Sequence, residues 1–77
     1  MTPKLPVVSG RQCVKILEQI GYVKVRQRGS HIRLKDRSGN LPSITVPDHK
    51  ELRPGLLKKI LKDANLSVEE LNRQLNK

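Results

Sequence analysis

The spacing of apolar residues changes at Gly21, and this change constrains the fold more than any other feature of the sequence. Before Gly21, apolar residues recur every three or four positions, as along one face of an α-helix; they are Cys13, Ile16, Leu17 and Ile20. Ser9 and Gln12 have the spacing of a capping box, which predicts that this helix begins at Gly10. Gly21 suits the left-handed residue that follows a helix. The segment before Gly21 is therefore predicted to be an amphipathic helix with one side to bury.

After Gly21 the apolar residues alternate with polar ones, which is the pattern of strands that bury one face. Three such segments follow, separated by short stretches of turn composition such as "DRSGN". The residues predicted to face inward are Val23 and Val25, then Ile32 and Leu34, then Ile44 and Val46. The residues predicted to face outward include Tyr22, Lys24 and Arg26, then His31, Arg33 and Lys35. Pro47 is predicted to end the third strand, and the short turns favour an antiparallel meander.

A second helix is predicted after the strands because apolar residues return to helical spacing. Its apolar side is Leu56, Leu57, Ile60, Leu61 and Ala64. Pro54 suits its first turn, and Asn65 can adopt the left-handed conformation that ends it. Ser67 and Glu70 repeat the capping-box spacing, which predicts a short C-terminal helix.

These elements together predict an α+β fold, a two-layer sandwich in which helices cover one face of an antiparallel three-stranded sheet. A chain of 77 residues can bury only a modest core, so residues 1–77 are expected to form a single domain.

The chain carries 16 Lys and Arg against seven Asp and Glu, a formal charge of +9. An excess of this size attracts polyanions, so the expected partner is nucleic acid, an acidic protein or both. Tyr22 is the single aromatic residue, which argues against recognition of single strands by stacking bases on aromatic side chains.

Several other function classes are disfavoured by the sequence. No segment approaches the roughly 18 apolar residues of a membrane span, and the first residues lack the apolar core of a secretory signal, so we expect no membrane partner and a cytoplasmic location. No metal site is expected, because the two histidines and the lone Cys13 lack a recognised ligand spacing. Cys13 falls on the apolar side of the first helix and is expected to be a buried thiol. Nucleotide-binding loops are absent, so no cofactor is expected.

Six cations in and beside the first two strands form the candidate binding set: Lys24, Arg26, Arg28, Arg33, Lys35 and Arg37. Cations on small edge strands commonly keep those strands soluble and prevent them from pairing with strands of other molecules. We favour a phosphate-binding surface, because these positions carry little compensating acid and the whole chain is basic.

His31 lies among these cations, directly after Gly29 and Ser30. A lone histidine is usually an ordinary surface residue. An imidazole, however, can accept or donate a proton near neutral pH, and the adjacent arginines could stabilise charge on a phosphoryl group. Gly29 is expected to supply a positive φ for the turn and Ser30 a local hydrogen bond, and the turn backbone could also hold a phosphate oxygen.

Two stretches resemble the HicA family of bacterial toxin-antitoxin mRNA interferases: "LPVVSGRQCVKILEQIGYVKVRQRGSHIRL" and "ITVPDHKELRPGLLKKILKDANLSVEEL". The resemblance runs from about Leu5 to about Leu71. Its most specific parts are Ser9-Gly10, Gly21-Tyr22, Gly29-Ser30-His31, Val46-Pro47 with His49, and Pro54-Gly55-Leu56-Leu57.

The resemblance implies a fold like the double-stranded-RNA-binding domain, α-β-β-β-α, and a type II toxin that cleaves mRNA. It implies that His31 is the catalytic residue and that a cognate HicB-type antitoxin covers the active site. One departure is Leu56, where the family often has Thr. If the Thr hydroxyl of the family caps the helix or contacts the substrate, that contact is missing at Leu56, and its loss would affect RNA cleavage.

On this interpretation Lys24, Arg26, Arg28, Gly29, Ser30, Arg33 and Lys35 bind the RNA, and His31 takes a proton from a ribose 2′-OH without a metal. The group that protonates the leaving oxygen stays open between His49, a lysine and water. Two alternatives remain from the residues: a non-catalytic nucleic-acid-binding module, and a basic surface that binds an acidic protein.

Overall fold

The computed structural model describes residues 4–77. Its elements in chain order are helix α1 (Gly10–Gln19), strands β1 (Tyr22–Arg28), β2 (His31–Asp36) and β3 (Ile44–Pro47), and helices α2 (Pro54–Asp63) and α3 (Val68–Leu75). The strands form one antiparallel sheet in the order β1-β2-β3. The predicted α+β fold, with its antiparallel sheet and short C-terminal helix, is confirmed.

The helix ends follow from local hydrogen bonds that the sequence predicts. The Ser9 Oγ accepts from the Gln12 backbone N–H at 3.1 Å, and the Gln12 Oε1 accepts from the Ser9 N–H at 2.9 Å, so the first capping box is complete. Gly21 has a φ of 115°, as expected for the residue past the end of α1. Asn65 has a φ of 54° after α2.

The capping box predicted for α3 is only half formed. The Ser67 Oγ accepts from the Glu70 N–H at 3.0 Å. The Glu70 carboxylate, however, accepts from Arg73 and Gln74 within the helix instead of returning to Ser67. The helix still begins where the sequence predicts, because the serine cap alone satisfies one of its free N–H groups.

The hydrophobic core lies between one face of the sheet and the helices. Helix α1 contacts β1 and β3, α2 contacts β3, and α3 contacts α1. The core side chains are Val8, Cys13, Val14, Ile16, Leu17, Tyr22, Ile32, Leu34, Ile44, Val46, Leu52, Leu57, Ile60, Leu61, Ala64 and Leu71. We call the sheet face that packs on the helices the covered face and its opposite the open face.

The predicted alternation in β1 is wrong from Tyr22 to Val25. Tyr22 is only 3% exposed and donates its hydroxyl to the Pro42 carbonyl at 2.9 Å, whereas Val25 is 53% exposed. The cause is a β-bulge: the pairing of β1 with β2 shifts between Lys24 and Arg26, which leaves Val25 without a partner. An extra residue in one strand reverses which side chains face inward.

The start of α1 packs directly on the loop that follows β3. The Gly10 N–H donates to the His49 carbonyl at 2.8 Å, and the Leu52 N–H donates to the Val8 carbonyl at 2.9 Å. A Cβ atom at position 10 would collide with the Pro47 carbonyl oxygen, so only glycine fits. This contact fixes the loop from Pro47 to Leu52 beside the turn that precedes His31.

Candidate functional site

The open face of the sheet is strongly cationic. Residues paired across an antiparallel sheet lie on the same face, so the register places together Val23, Arg26, Arg28, His31, Arg33, Lys35, Thr45 and Pro47. None of these side chains is acidic, and all four arginine and lysine side chains are exposed. The predicted grouping of His31 with Arg26, Arg28, Arg33 and Lys35 is therefore observed.

Lys24 does not share this face, contrary to the prediction. It pairs with Leu34, whose side chain is fully buried on the covered face, whereas Arg26 pairs with the exposed Arg33. The bulge at Val25 separates the two cations, although their spacing in the sequence predicts one face. Lys24 instead lines a cleft of about 580 Å³ beside α1, together with Arg11 and Lys15 and the carboxylates of Glu18 and Asp48.

A two-residue turn presents His31 at the start of β2. Arg28 and His31 are paired across the sheet, so Gly29 and Ser30 alone make the connection. Gly29 has a φ of 58°, as a tight hairpin turn requires at its first position. The turn is held from both sides: Gln27 Nε2 donates to the Gly29 carbonyl at 3.1 Å, and the Asp48 N–H donates to the Ser30 carbonyl at 2.6 Å.

His31 lines a shallow depression of about 160 Å³ on the open face. The other lining residues are Arg26, Arg28, Arg33 and Thr45. The Arg33 Nη1 donates to the Thr45 Oγ1 at 3.2 Å, which orients the guanidinium across β3. An exposed imidazole thus lies among three guanidinium groups, an arrangement that can bind an anion and exchange a proton with it.

Thr45 was not identified as a site residue from the sequence. Its position between Ile44 and Val46 was the available signal, because alternation places it on the same face as the cations.

The charge on the open face is not compensated within residues 4–77. The ion pairs in this part of the chain join Arg11 to Asp48 at 3.2 Å and Arg73 to Glu70 at 2.6 Å, and neither involves the open face. Like charges opposite one another across a sheet are destabilising. The cations of the open face therefore do not stabilise the isolated chain, and their exposed side chains are accessible to an anion.

The two other residues considered for chemistry lie away from this depression. His49 is exposed in the loop after β3 and does not line the depression that holds His31. Cys13 is buried, as expected, and burial raises its pKa to about 11, so its thiol is not a nucleophile at neutral pH.

Two other kinds of site are not found among residues 4–77. No three side chains among His, Cys, Asp and Glu come close enough together in these residues to hold a metal ion. None of the helices described is both long and apolar enough to cross a membrane.

Comparison with known proteins identifies one family. A family model described as "HicA toxin of bacterial toxin-antitoxin" matches residues 10–66, which include α1, the whole sheet and α2. No curated protein sequence matches the chain. The matched segment contains every residue that lines the depression around His31.

Proposed function

The chain belongs to the HicA toxin family of bacterial toxin-antitoxin systems, and we propose that it is a metal-independent endoribonuclease that cleaves mRNA. The catalytic residue in this proposal is His31. The residues proposed to bind RNA are Arg26, Arg28, Gly29, Ser30, Arg33 and Lys35, while Lys24 is omitted because it lies on the covered face. With mRNA as substrate, its place of action is the cytoplasm.

The observation that carries the proposal is the position of His31. It is exposed, it lies directly opposite Arg28, and it shares a depression with two further arginines and no carboxylate. Arginine recognises phosphate through several directed hydrogen bonds, so this depression suits the phosphate of a nucleic-acid backbone. Backbone contacts of this kind carry little sequence information.

In the proposed reaction His31 acts as a general base. Its neutral imidazole takes the proton from a ribose 2′-OH, the 2′-oxygen bonds to the adjacent phosphorus, and the bond from phosphorus to the 5′-oxygen breaks. Arg28 and Arg33 offset the negative charge that develops on the phosphoryl oxygens. Water protonates the leaving 5′-oxygen, since the open face is accessible to solvent. The products are a 2′,3′-cyclic phosphate and a 5′-hydroxyl end.

Membership of the family implies an antitoxin partner. We propose a HicB-type antitoxin that neutralises the toxin by covering the open face. The uncompensated cations there support an acidic contact surface on the antitoxin, because complementary charge raises association rates and excludes wrong partners.

Expression in bacteria without an antitoxin tests the proposal. Wild type is expected to stop growth and degrade bulk mRNA, and His31→Ala is expected to do neither. His49→Ala is the matched control, since this second histidine does not line the depression and its loss should leave the arrest intact. Mapping the RNA ends adds a chemical check: 3′-hydroxyl ends would exclude the 2′-OH as nucleophile.

The competing function is a non-catalytic RNA-binding module that uses the same face. One observation favours it: the His31 side chain makes no hydrogen bond to another group in residues 4–77, whereas catalytic bases are commonly oriented by a partner. If the protein is a non-catalytic module, purified His31→Ala and wild type should bind RNA equally and both leave it intact. If the protein is a ribonuclease, His31→Ala should lose cleavage and keep RNA binding.

A further inference from the structure

A second depression, of about 180 Å³, lies at the outer edge of β3 against α2. Its wall is aliphatic, with Leu56 half-buried and Ile60 buried. Its polar lining groups include the Ser43 hydroxyl, the Lys59 ammonium and the Asp63 carboxylate. A small pocket with an apolar wall and a few converging polar groups has the composition of a ligand site.

This edge depression is continuous with the depression that holds His31, because Arg33 and Thr45 line both. Thr45 pairs with Arg33, and Pro47 pairs with His31. The His31–Pro47 pair therefore lies two residues of strand, or roughly 7 Å, from the Arg33–Thr45 pair that both depressions share. A ligand bound by phosphate on the open face can place a neighbouring group in the edge depression.

The polar groups of the edge depression lack partners within the described chain. Neither the Asp63 carboxylate nor the Lys59 ammonium takes part in an ion pair or a side-chain hydrogen bond among residues 4–77. The Asp63 carboxylate is half-buried but still reached by solvent, so a ligand that donates a hydrogen bond to it takes the place of water. It also repels phosphate, so the edge depression differs in chemistry from the open face.

We propose that the edge depression is a nucleobase subsite, which selects a base with an exocyclic amino group next to the phosphate bound near His31. This inference rests on the proposed ribonuclease function and adds a sequence preference to it. The amino group of cytosine, adenine or guanine donates to Asp63, while Lys59 or Ser43 donates to a ring nitrogen or carbonyl. The base plane packs on the half-buried Leu56, which supplies apolar contact in a chain almost without aromatic residues.

Uracil is the base that this subsite rejects. It has carbonyl oxygens where the other bases carry an amino group, and its one ring donor, the N3–H, lies between those two oxygens. A uracil that turns the N3–H towards Asp63 brings a carbonyl oxygen close to the carboxylate, which repels it. Asn accepts and donates hydrogen bonds, so Asp63→Asn removes the repulsion and accommodates all four bases.

RNA binding by the non-cleaving His31→Ala variant tests the subsite apart from catalysis. Fluorescence anisotropy at one fixed salt concentration compares labelled oligonucleotides of equal length made of cytidine, adenosine or uridine. We expect the cytidine and adenosine strands to bind roughly tenfold more tightly than the uridine strand, in the range of one directed base contact. Adding Asp63→Asn should bring the three affinities within about twofold.

Adding Glu69→Gln to His31→Ala is the matched control, because it removes one exposed carboxylate from α3, outside both depressions. It should strengthen binding of all three strands alike and keep their ratio. Equal binding of the three strands by His31→Ala, or a preference that survives Asp63→Asn, overturns the subsite. In either case, cleavage by wild type that depends on His31 would leave the ribonuclease proposal standing. Absence of binding to every strand overturns the subsite, and absence of cleavage by wild type independently overturns the ribonuclease.

Discussion

Arg26 lies directly opposite Arg33 where β1 pairs with β2, and neither guanidinium has an acidic partner in the described chain. Arg33 instead donates to the neutral Thr45 hydroxyl at 3.2 Å. Two cations held side by side on a sheet raise the free energy of the folded state and favour an anion that bridges them. The open face is therefore expected to lower the stability of the isolated chain and, at the same time, to favour the binding of anions.

Replacing Arg26 should therefore stabilise the protein and weaken its function. Arg26→Gln is expected to gain about 0.2–1 kcal/mol in the free energy of unfolding, which for a domain of this size raises Tm by roughly 1–8 °C. Affinity for RNA should fall at the same time. Thermal unfolding followed by circular dichroism checks the first effect. Arg73→Gln is the control, because Arg73 is already paired with Glu70 and its loss should not raise Tm. A lower Tm for Arg26→Gln would show that the repulsion is not significant.

The bulge at Val25 predicts unequal roles for two cations of β1. Arg28→Ala should weaken RNA binding and lower the slope of log K against log salt concentration by about 0.7, the value for one lost contact with a single strand. Lys24→Ala should leave that slope nearly unchanged, because Lys24 lies on the covered face opposite Leu34. Titrations at three or more salt concentrations measure both slopes. Equal losses for the two variants would mean that the RNA also contacts the cleft beside α1.

Local chemistry made much of the fold predictable from the sequence. Two helices begin where the sequence predicts, at Gly10 and at Pro54. Left-handed residues follow them, Gly21 and Asn65. These features depend on hydrogen bonds and steric contacts within a few positions of the chain. The grouping of His31 with Arg33 and Lys35 depends on simple alternation within one strand. These features need no knowledge of distant residues, so a single sequence is enough to predict them.

The main features of the site that the sequence did not predict depend on contacts between segments. The bulge that moves Lys24 to the covered face is set by how β1 pairs with β2, and its own residues carry no signal of it. The burial of Tyr22 follows from the same shift. The edge depression needs β3 and α2 to be packed together before Ser43 and Asp63 come to line one site.

The left-handed conformation of Gly29 makes the turn before His31 sensitive to substitution. Gly29→Ala should cost about 1–2 kcal/mol in the free energy of unfolding, since a Cβ atom is disfavoured at a φ of 58°. Urea unfolding measures the loss, and cleavage should fall as well because the turn positions His31. Gly55→Ala is the matched control: Gly55 lies in α2, its φ is negative, and alanine there should be neutral or stabilising by up to about 1 kcal/mol. An equal loss in both variants would contradict the conformational argument.

Stability in acid should depend on Asp36, which is 7% exposed at the end of β2. The Ser38 hydroxyl donates to its carboxylate at 2.7 Å, and the N–H groups of Asn40 and Leu41 donate at 3.1 and 2.9 Å. The hydrogen bond from Ser38 is the largest cause that holds the Asp36 pKa below its ordinary value, and the backbone N–H groups act in the same direction against the opposing effect of burial.

Because its pKa is lower when folded than when unfolded, Asp36 contributes stability that is fully present above about pH 4, the ordinary range for this carboxyl, and is lost as pH falls towards the lower folded value. Asp36→Asn should therefore lower Tm at pH 7 and reduce the further fall in Tm between pH 5 and pH 2.5. Calorimetry at these pH values tests both effects. Asp63→Asn, which removes a carboxylate with no hydrogen bond in the described chain, should retain the wild-type fall in Tm. If Asp36→Asn lost as much Tm in acid as wild type, the hydrogen bonds to this carboxylate would not be the source of its acid sensitivity.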